Sequence, residues 1–250
     1  MLTVIVLTHN SAGDVKELLP QVVGWAEEVL VVDDGSTDQT REIVEKAGAR
    51  VITHELANDY SRQRNFGLDQ AKNEWVLFVD ADERVSEELK KEIVTAIKAG
   101  ENDGFLIPRH DIFWGSRLRY GETGFTALVR LGKRSAGRWR RPVHEVWEIN
   151  RVGKLHSPLI HFSHPQLSLF LDDINRYTTI EADYRLKKGE QTTMAAILIY
   201  PMGKFVFNYV VRLGWWDGFP GLVMATMMSL HSLMMRAKWF EKQRIMSKEQ

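Results

Sequence analysis

The chain lacks cysteine, and its 250 residues carry a formal net charge of zero. Without cysteine, disulfide bonds and thiolate metal sites are excluded, and a reducing compartment is compatible with the sequence. The balanced charge gives no sign of a nucleic-acid partner. The opening residues 1–7 lack the basic start and the length of a signal peptide, so we expect a first strand there.

Glycine-rich phosphate-binding loops are missing as well. A dinucleotide-dependent oxidoreductase would carry Gly-x-Gly-x-x-Gly after its first strand, but the sequence there is Thr8-His-Asn-Ser-Ala-Gly13. A sugar-phosphate nucleotidyltransferase would share a nucleotide-binding sheet but is also expected to have a Gly-rich loop at this point. Since that loop is missing, a nucleotidyltransferase is kept only as a distant alternative for the function of this chain.

Strand-like and helix-like segments alternate over the first hundred residues. The apolar runs are predicted strands at 2–7, 29–32, 50–53 and 75–79, and helices are predicted at about 38–47, 60–71 and 86–98. Ser11, Ser36 (in a capping box with Gln39) and Ser86 are predicted helix caps. Short connections between such elements indicate right-handed βαβ units and a parallel sheet. The pattern becomes irregular from 103 to 164, with strands predicted at 104–108 and 125–131.

Polar residues follow three of the predicted strands at their carboxyl ends. They are Thr8 and Asn10 after the first strand, Asp33 and Asp34 after the second, and Asp80 and Asp82 after the fourth. The carboxyl ends of parallel strands meet at one edge of a sheet, which is where open α/β sheets bind ligands. Paired carboxylates there can hold a hard divalent cation together with phosphate oxygens and water. The plainer alternative is that the acids solvate a loop and begin a helix.

The last third of the chain is predicted to be helical, at about 169–188, 194–213 and 221–239. Residues 218–235 contain no Asp, Glu, Lys or Arg, but they barely reach membrane-spanning length and include Pro220. We expect helices that lie in a membrane interface, with Arg236, Lys238, Lys242 and Arg244 on anionic headgroups. The alternative is a helical pair packed on the preceding domain.

A basic segment precedes that region. Between Arg109 and Arg141 only Asp111 and Glu122 oppose many Lys and Arg side chains. Such a segment is either a solvated face or a site for an anionic substrate.

Four blocks of sequence together resemble the family 2 glycosyltransferases, which have the GT-A fold. The blocks are Val4-Ile-Val-Leu-Thr-His-Asn10, Val31-Val-Asp-Asp-Gly-Ser-Thr-Asp38, Gln63-Arg-Asn-Phe-Gly67 and Phe78-Val-Asp-Ala-Asp-Glu83. Val143-His-Glu145 and Leu159-Ile-His-Phe-Ser-His164 extend the likeness toward lipopolysaccharide core β-glucosyltransferases. The resemblance covers about residues 1–180.

The resemblance implies a role for each matching residue. Thr8 and Asn10 would line the nucleotide pocket, Asp34 would bind the base and Asp33 would support it. Arg64 and Asn65 would lie near the nucleotide. Asp80 would face the ribose or the water shell of a metal, and Asp82 would bind Mg²⁺ or Mn²⁺ on the diphosphate. Glu145 would be the general base, with His144 as the alternative base. Three structural alternatives remain: Asp33 caps a turn, Arg64 pairs with Asp59, or His144 is a structural histidine.

The resemblance also implies a fold and a reaction. We expect a GT-A catalytic domain over 1–165, with a nucleotide-sugar half at about 1–100 and an acceptor half at about 101–165, followed by a helical region over 166–250. Processive synthases of the family carry Gln-x-x-Arg-Trp, but Ser135 stands where that Gln would precede Arg138-Trp139. We therefore expect a single, inverting, metal-dependent sugar transfer.

The expected partners follow from that reaction. The donor is a nucleotide-sugar, with UDP-hexose the first expectation, and the acceptor is a lipopolysaccharide-core or other cell-envelope glycan, or a lipid-linked one. The expected location is the cytoplasm, peripheral on the cytoplasmic face of the inner membrane. A polyprenyl-phosphate glycosyltransferase is the nearer alternative, because the apolar C-terminal region fits it equally well.

Overall fold

The computed structural model describes the backbone of residues 1–249 and the side chains of residues 1–247. The chain forms two compact units. The first unit contains Met1–Arg109 and Ala127–His161, and the second contains His110–Thr126 and the chain from Phe162 onward. The segment His110–Thr126, which lies within the predicted acceptor half, thus belongs to the helical unit.

The regular elements follow the predicted order. The strands are β1 (Leu2–Thr8), β2 (Glu28–Asp33), β3 (Arg50–Thr53), β4 (Trp75–Asp80), β5 (Glu83–Val85), β6 (Gly104–Phe113), β7 (Ser116–Arg117), β8 (Ala127–Lys133), β9 (Gly137–Arg140), β10 (Val146–Ile149), β11 (Val152–Lys154) and β12 (Leu159–Phe162). The α-helices are α1 (Ala12–Val22), α2 (Thr40–Lys46), α3 (Tyr60–Gln70), α4 (Glu87–Ala99), α5 (Leu167–Lys187), α6 (Met194–Val206) and α7 (Gly218–Glu249).

The sheet of the first unit confirms the parallel βαβ arrangement. β3, β2, β1 and β4 are parallel and adjacent in that order, and β8 adds antiparallel to β4. β6 pairs with β8, and β5 pairs antiparallel with β12. Thr8 lies opposite Asp33 and Leu7 opposite Asp80, so the polar ends of β1, β2 and β4 are level. The register therefore brings the predicted site residues to one edge.

Both faces of this sheet are buried, which explains the continuous apolar strands. Successive side chains alternate between faces: Val4 packs in a cluster with Leu18 of α1 and Leu89 of α4. Ile5 lies on the opposite face, in a cluster with Trp139 and Trp147. These two tryptophans come from the β9–β10 hairpin, which covers that face together with α3.

The predicted helix caps are confirmed only in part. Ser86 caps α4, because its hydroxyl accepts a hydrogen bond from the backbone N–H of Leu89 at 3.2 Å. Ser11 precedes α1, but its hydroxyl makes no capping bond to the helix and donates to the His9 carbonyl instead. The capping box at Ser36 and Gln39 is wrong, since α2 begins at Thr40 and the Ser36 hydroxyl donates to Asp33.

Several predicted boundaries also differ from the structure. β6 continues to Phe113, well beyond the predicted 104–108. Thr123–Phe125 form a 3-10 turn, so the next strand begins only at Ala127. One α-helix was predicted at 194–213, but the α-helical part ends at Val206. A π-helical turn follows over Phe207–Val211.

The second unit is built on α5, α6 and α7. Phe170 and Ile174 of α5 pack with Met224 and Met227 of α7, and the Ser229 hydroxyl of α7 donates to the Pro201 carbonyl of α6 at 2.8 Å. By length and composition, two stretches could cross a membrane, Met194–Val211 and Gly214–Ser247; only 11% of the first and 33% of the second are buried. Much of their apolar surface is therefore exposed.

The basic residues expected on headgroups have partners within the chain. The Lys238 ammonium donates to Asn175, Thr178 and Thr179 of α5, and Lys242 pairs with Asp183. The Arg236 guanidinium donates to the Ser232 hydroxyl and lies 4.1 Å from the centre of the Tyr200 ring. These cations fasten α7 to α5 and α6.

Replacing the α4 cap should lower stability measurably. We expect Ser86→Ala to reduce the free energy of unfolding by about 1 kcal/mol, because the Leu89 N–H loses its acceptor. Ser86→Asp is the matched control, since its carboxylate can accept the same bond. Urea denaturation of the three proteins checks this, and an equal loss for both variants would contradict the capping role.

Candidate active site

The loops after β1 and β2 are fastened to each other by side-chain hydrogen bonds. Asp33 is fully buried and accepts from the Thr8 hydroxyl at 3.1 Å and from the Ser36 hydroxyl and N–H at 2.5 and 3.0 Å. Asn10, in a left-handed conformation with φ of 48°, accepts from the Thr37 N–H at 2.8 Å. Asp33 therefore shapes the loop from within.

That neighbour, Asp34, keeps part of its carboxylate accessible. Its Oδ1 accepts from the Leu56 N–H at 2.8 Å, and its backbone carbonyl accepts from His9 Nδ1 at 2.6 Å. The other oxygen, Oδ2, lies 3.8 Å from His9 Nδ1. Asp34 is thus held rigidly with one oxygen directed to the polar edge of the sheet, as a group that recognises a ligand requires.

Asp80, at the end of β4, is held by two arginines. Its Oδ1 accepts from Arg64 at 2.9 Å and its Oδ2 from Arg130 at 2.5 Å. Burial alone would raise the pKa of Asp80, but the charges of Arg130 and Arg64 outweigh it and hold that pKa well below its usual range. Asp80 is therefore ionised, and both of its oxygens have donors.

Arg64 connects Asp80 to Glu145. Its Nε donates to Glu145 Oε1 at 2.7 Å while the same guanidinium binds Asp80, and its side chain is only 4% exposed. The guanidinium lies 4.8 Å from the centre of the Trp139 ring. The predicted alternative, a pair between Arg64 and Asp59, is wrong: the Asp59 carboxylate instead caps α3 by accepting from the Arg62 N–H.

Glu83 adds a second buried acid beneath this cluster. Its Oε2 accepts from the Asp80 N–H at 2.9 Å, and its Oε1, 3.8 Å from Arg130, has no hydrogen-bond partner in the described chain. Burial raises the pKa of Glu83. Glu83 was not predicted as a site residue, although it is the last member of the Asp-Ala-Asp-Glu block.

Asp82 occupies a different environment from Asp80. Its side chain is 39% exposed, and its Oδ2 lies 3.2 Å from His161 Nε2. Burial first, and then the charge of Asp82, raise the pKa of nearby Asp14. The position is therefore negative and accessible, which suits a cation.

The side chains that could ligate a divalent metal here form only part of a coordination shell. Asp82 and His161 supply an oxygen and a nitrogen, but no group of three His, Asp or Glu side chains meets among the described residues. Mg²⁺ and Mn²⁺ commonly complete their coordination with substrate phosphate and water. Such an ion would thus be held jointly by this pair and a diphosphate. His161 was missed as a site residue, and its signal was the Leu-Ile-His-Phe-Ser-His block.

Asn65 makes backbone contacts within the first unit, whereas His144 lies at the surface. The Asn65 amide donates to the Trp139 carbonyl at 2.9 Å and accepts from the Trp139 N–H at 3.0 Å, so it fastens α3 to β9. His144 is exposed and has a φ of 50°, next to Glu145. Asn65 therefore positions the covering hairpin, while His144 stands at the surface beside the proposed base.

The chain belongs to glycosyl transferase family 2, whose sequence model matches residues 3–156. It is thus a glycosyltransferase, and this membership decides against the nucleotidyltransferase alternative. It is similar to the lipopolysaccharide core biosynthesis glycosyltransferase LpsC of Rhizobium meliloti, with 26% identity over 86% of this chain and 83% of that protein.

Two solved structures share the GT-A fold. A mannosyltransferase from Pyrobaculum calidifontis, in complex with GDP-Man and Mn²⁺, matches with a TM-score of 0.60 and 14% identity over 96% of this chain and 87% of its own. TarS from Staphylococcus aureus, in complex with UDP-GlcNAc, matches with a TM-score of 0.52 and 18% identity. The match covers 97% of this chain and 89% of the TarS chain. The predicted fold is confirmed.

Removing the Arg64 guanidinium should destabilise the first unit. We expect Arg64→Met to lower the free energy of unfolding by about 3 kcal/mol, because two partly buried carboxylates lose their shared partner. Arg62→Met, on an exposed position of the same helix, is the matched control and should change stability by less than about 0.5 kcal/mol. Equal effects in thermal or urea unfolding would show that the bridge adds nothing.

Proposed function

We propose that the protein is an inverting, non-processive glycosyltransferase that moves one hexose from a UDP-sugar to a cell-envelope glycan, with the lipopolysaccharide core as the first candidate. The observation that carries this proposal is the guanidinium of Arg64, which joins Asp80 at the end of β4 to Glu145, while Asp82 follows Asp80 by two residues in the chain. In a direct displacement the sugar donor and the acceptor hydroxyl react in one step. The acid assigned to the donor, Asp80, and the base assigned to the acceptor, Glu145, therefore have to lie close together.

The donor would bind at the level ends of β1, β2 and β4. Asp34 offers a rigid acceptor to a base, in the pocket that Thr8 and Asn10 help to shape. Nη1 of Arg64 is buried without a hydrogen-bond partner in the described chain, so its two N–H groups remain for an oxygen of the nucleotide-sugar. The nucleotide-sugars in the complexes of TarS and the Pyrobaculum enzyme are compatible with this assignment.

We assign the metal to Asp82 together with His161. A bound Mg²⁺ or Mn²⁺ would offset the charge that develops on the diphosphate leaving group. Asp80, the other expected metal ligand, is the weaker candidate because Arg64 and Arg130 already occupy its oxygens. Its proposed role is to face the ribose and to hold the two arginines in place.

Glu145 would remove the proton from the attacking acceptor hydroxyl. Arg64 fixes the carboxylate through Oε1, so Oε2 is the oxygen available to a substrate. One displacement from the face opposite the diphosphate inverts the anomeric centre. His144 remains the alternative base, because it is exposed and adjacent in sequence.

The acceptor and the location are proposed from the relatives and the exposed helices. The name of LpsC favours a lipopolysaccharide-core acceptor. The two apolar stretches Met194–Val211 and Gly214–Ser247 favour peripheral attachment to the cytoplasmic face of the inner membrane. A polyprenyl-phosphate acceptor is the second candidate, since it would use the same apolar surface. Comparing core oligosaccharide with extracted lipid acceptors separates the two.

Changing the proposed base should affect chemistry more than donor binding. We expect Glu145→Gln to lower kcat by about 10²–10⁴-fold with nearly unchanged donor affinity, because the amide can still accept from Arg64 but cannot take a proton. Glu148→Gln, an exposed acid on β10, is the matched control. His144→Ala is measured in parallel, and loss of donor affinity in Glu145→Gln would move Glu145 to a donor-binding role.

Changing Asp82 should impair metal-dependent transfer. We expect Asp82→Asn to keep the fold and to lose at least about 10²-fold in turnover, because the amide removes the charge that attracts the cation. Mn²⁺ binding in the presence of UDP is measured by calorimetry, with Asp69→Asn as an exposed control. Near-normal turnover of the variant after EDTA treatment would exclude the metal role.

A further inference from the structure

The connection between α6 and α7 presents a dense set of exposed apolar side chains. We call residues 207–219 the hairpin tip; it contains the π-helical turn, Leu213 and the 3-10 turn Gly214–Asp217. Trp216 is 61% exposed and Phe219 is 67% exposed, and Val210, Val211 and Trp215 are exposed as well. A folded chain rarely leaves so many large apolar groups together in water without a binding function.

The charged groups of the hairpin tip are used inside the second unit. Arg212 and Asp217 are the only charged residues between 207 and 219. The Arg212 guanidinium lies 4.9 Å from the centre of the Phe207 ring, and the Asp217 carboxylate accepts from the backbone N–H groups of Arg119 and Tyr120. The Asp217 carboxylate therefore faces backbone N–H groups of its own unit, while Arg212 lies against aromatic rings.

Two aromatic side chains of the segment His110–Thr126 extend this apolar surface, while Arg117 and Arg119 of the same segment are exposed. Phe125 is 67% exposed and its ring centre lies 5.9 Å from the Arg212 guanidinium, while the rings of Trp114 and Phe219 are 6.3 Å apart. The Gly121 N–H donates to the Arg212 carbonyl at 3.0 Å. The hairpin tip and this segment thus form one surface with a fixed arrangement.

The basic residues of α7 lie far from that surface. Arg236 is eighteen residues after Gly218 on one continuous helix, which corresponds to about 27 Å at about 1.5 Å per residue. Lys238 also donates a hydrogen bond to Thr178 of α5, and Lys242 pairs with Asp183 of α5. These cations therefore lie outside the surface that the hairpin tip forms.

We propose that the hairpin tip, together with Trp114 and Phe125, is the element that enters the bilayer, and that apolar burial, not charge attraction, drives its binding. This inference rests on the proposed membrane location. A lipid bilayer fits better than a protein partner, because protein interfaces carry about one hydrogen bond per 100–200 Å² and the tip uses its charged groups internally. Tryptophan side chains also favour the headgroup level of a membrane.

The test uses the full chain and sedimentation with vesicles of phosphatidylcholine alone or mixed with phosphatidylglycerol. We expect binding to both compositions and little release by high salt, which screens charge but not apolar burial. The triple variant Trp215→Ser/Trp216→Ser/Phe219→Ser should partition at least about tenfold less, because the apolar burial lost from even one of these side chains corresponds to about a tenfold change in affinity.

The matched control is Leu169→Ser/Leu171→Ser, which removes two exposed apolar side chains of α5 in the same unit. It should bind vesicles like the unchanged chain, and circular dichroism should show both variants folded. Binding confined to anionic vesicles at low salt, and unchanged in the triple variant, would overturn the inference. A chain that self-associates through the tip and ignores vesicles would also overturn it.

The proposed function is read out separately. Donor hydrolysis in detergent does not depend on vesicle binding, and none of the three substituted side chains belongs to the assigned active site. Absent hydrolysis in the unchanged chain would count against the transferase mechanism, while vesicle sedimentation would still decide the role of the hairpin tip.

Discussion

The buried guanidinium of Arg64 is the interaction on which the candidate site depends. It joins α3 to the end of β4 through Asp80 and to the β9–β10 connection through Glu145. A buried cation is costly unless acids and hydrogen bonds compensate for it, and here burial would lower the pKa of Arg64 but its two acidic neighbours raise it above the ordinary value. Arg64 thus holds the carboxylates of Asp80 and Glu145 close to each other although they come from distant parts of the chain. If Glu145 is the base that we propose, the contact that compensates a buried charge also positions it.

The two acids of the Asp-Ala-Asp block have different surroundings although they are one residue apart. Asp80 ends a buried strand and is neutralised by Arg64 and Arg130, whereas Asp82 lies beyond the strand, partly exposed, beside His161. The first carboxylate is committed to the protein, and the second is accessible to an added cation. Two acids of one motif therefore differ in their exposure and in the groups that they contact.

The sequence predicted what local patterns determine. Continuous apolar runs predicted the parallel strands, and because parallel strands end at one edge, their polar ends could be grouped before the structure was known. Contacts between distant segments were not predictable: Arg64 meets Glu145 across 81 residues, and Asn65 meets Trp139 across 74. The wrong capping box at Ser36 has the same origin. Its hydroxyl had a competing acceptor in Asp33, and local helix signals do not reveal such competition.

The C-terminal helices show contacts that composition alone does not reveal. A basic cluster after an apolar run suggests cations on headgroups, but Arg236, Lys238 and Lys242 also contact side chains of the neighbouring helices. Lys238 satisfies hydroxyls along α5, which makes it part of the helix packing. The residues between α6 and α7 have the opposite arrangement, since Asp217 turns inward to the backbone of Arg119 and Tyr120 and leaves the aromatic rings outside. These hydrogen bonds to the Asp217 carboxylate also fix the segment His110–Thr126 against the tip. Any surface that binds the tip therefore also orients that segment.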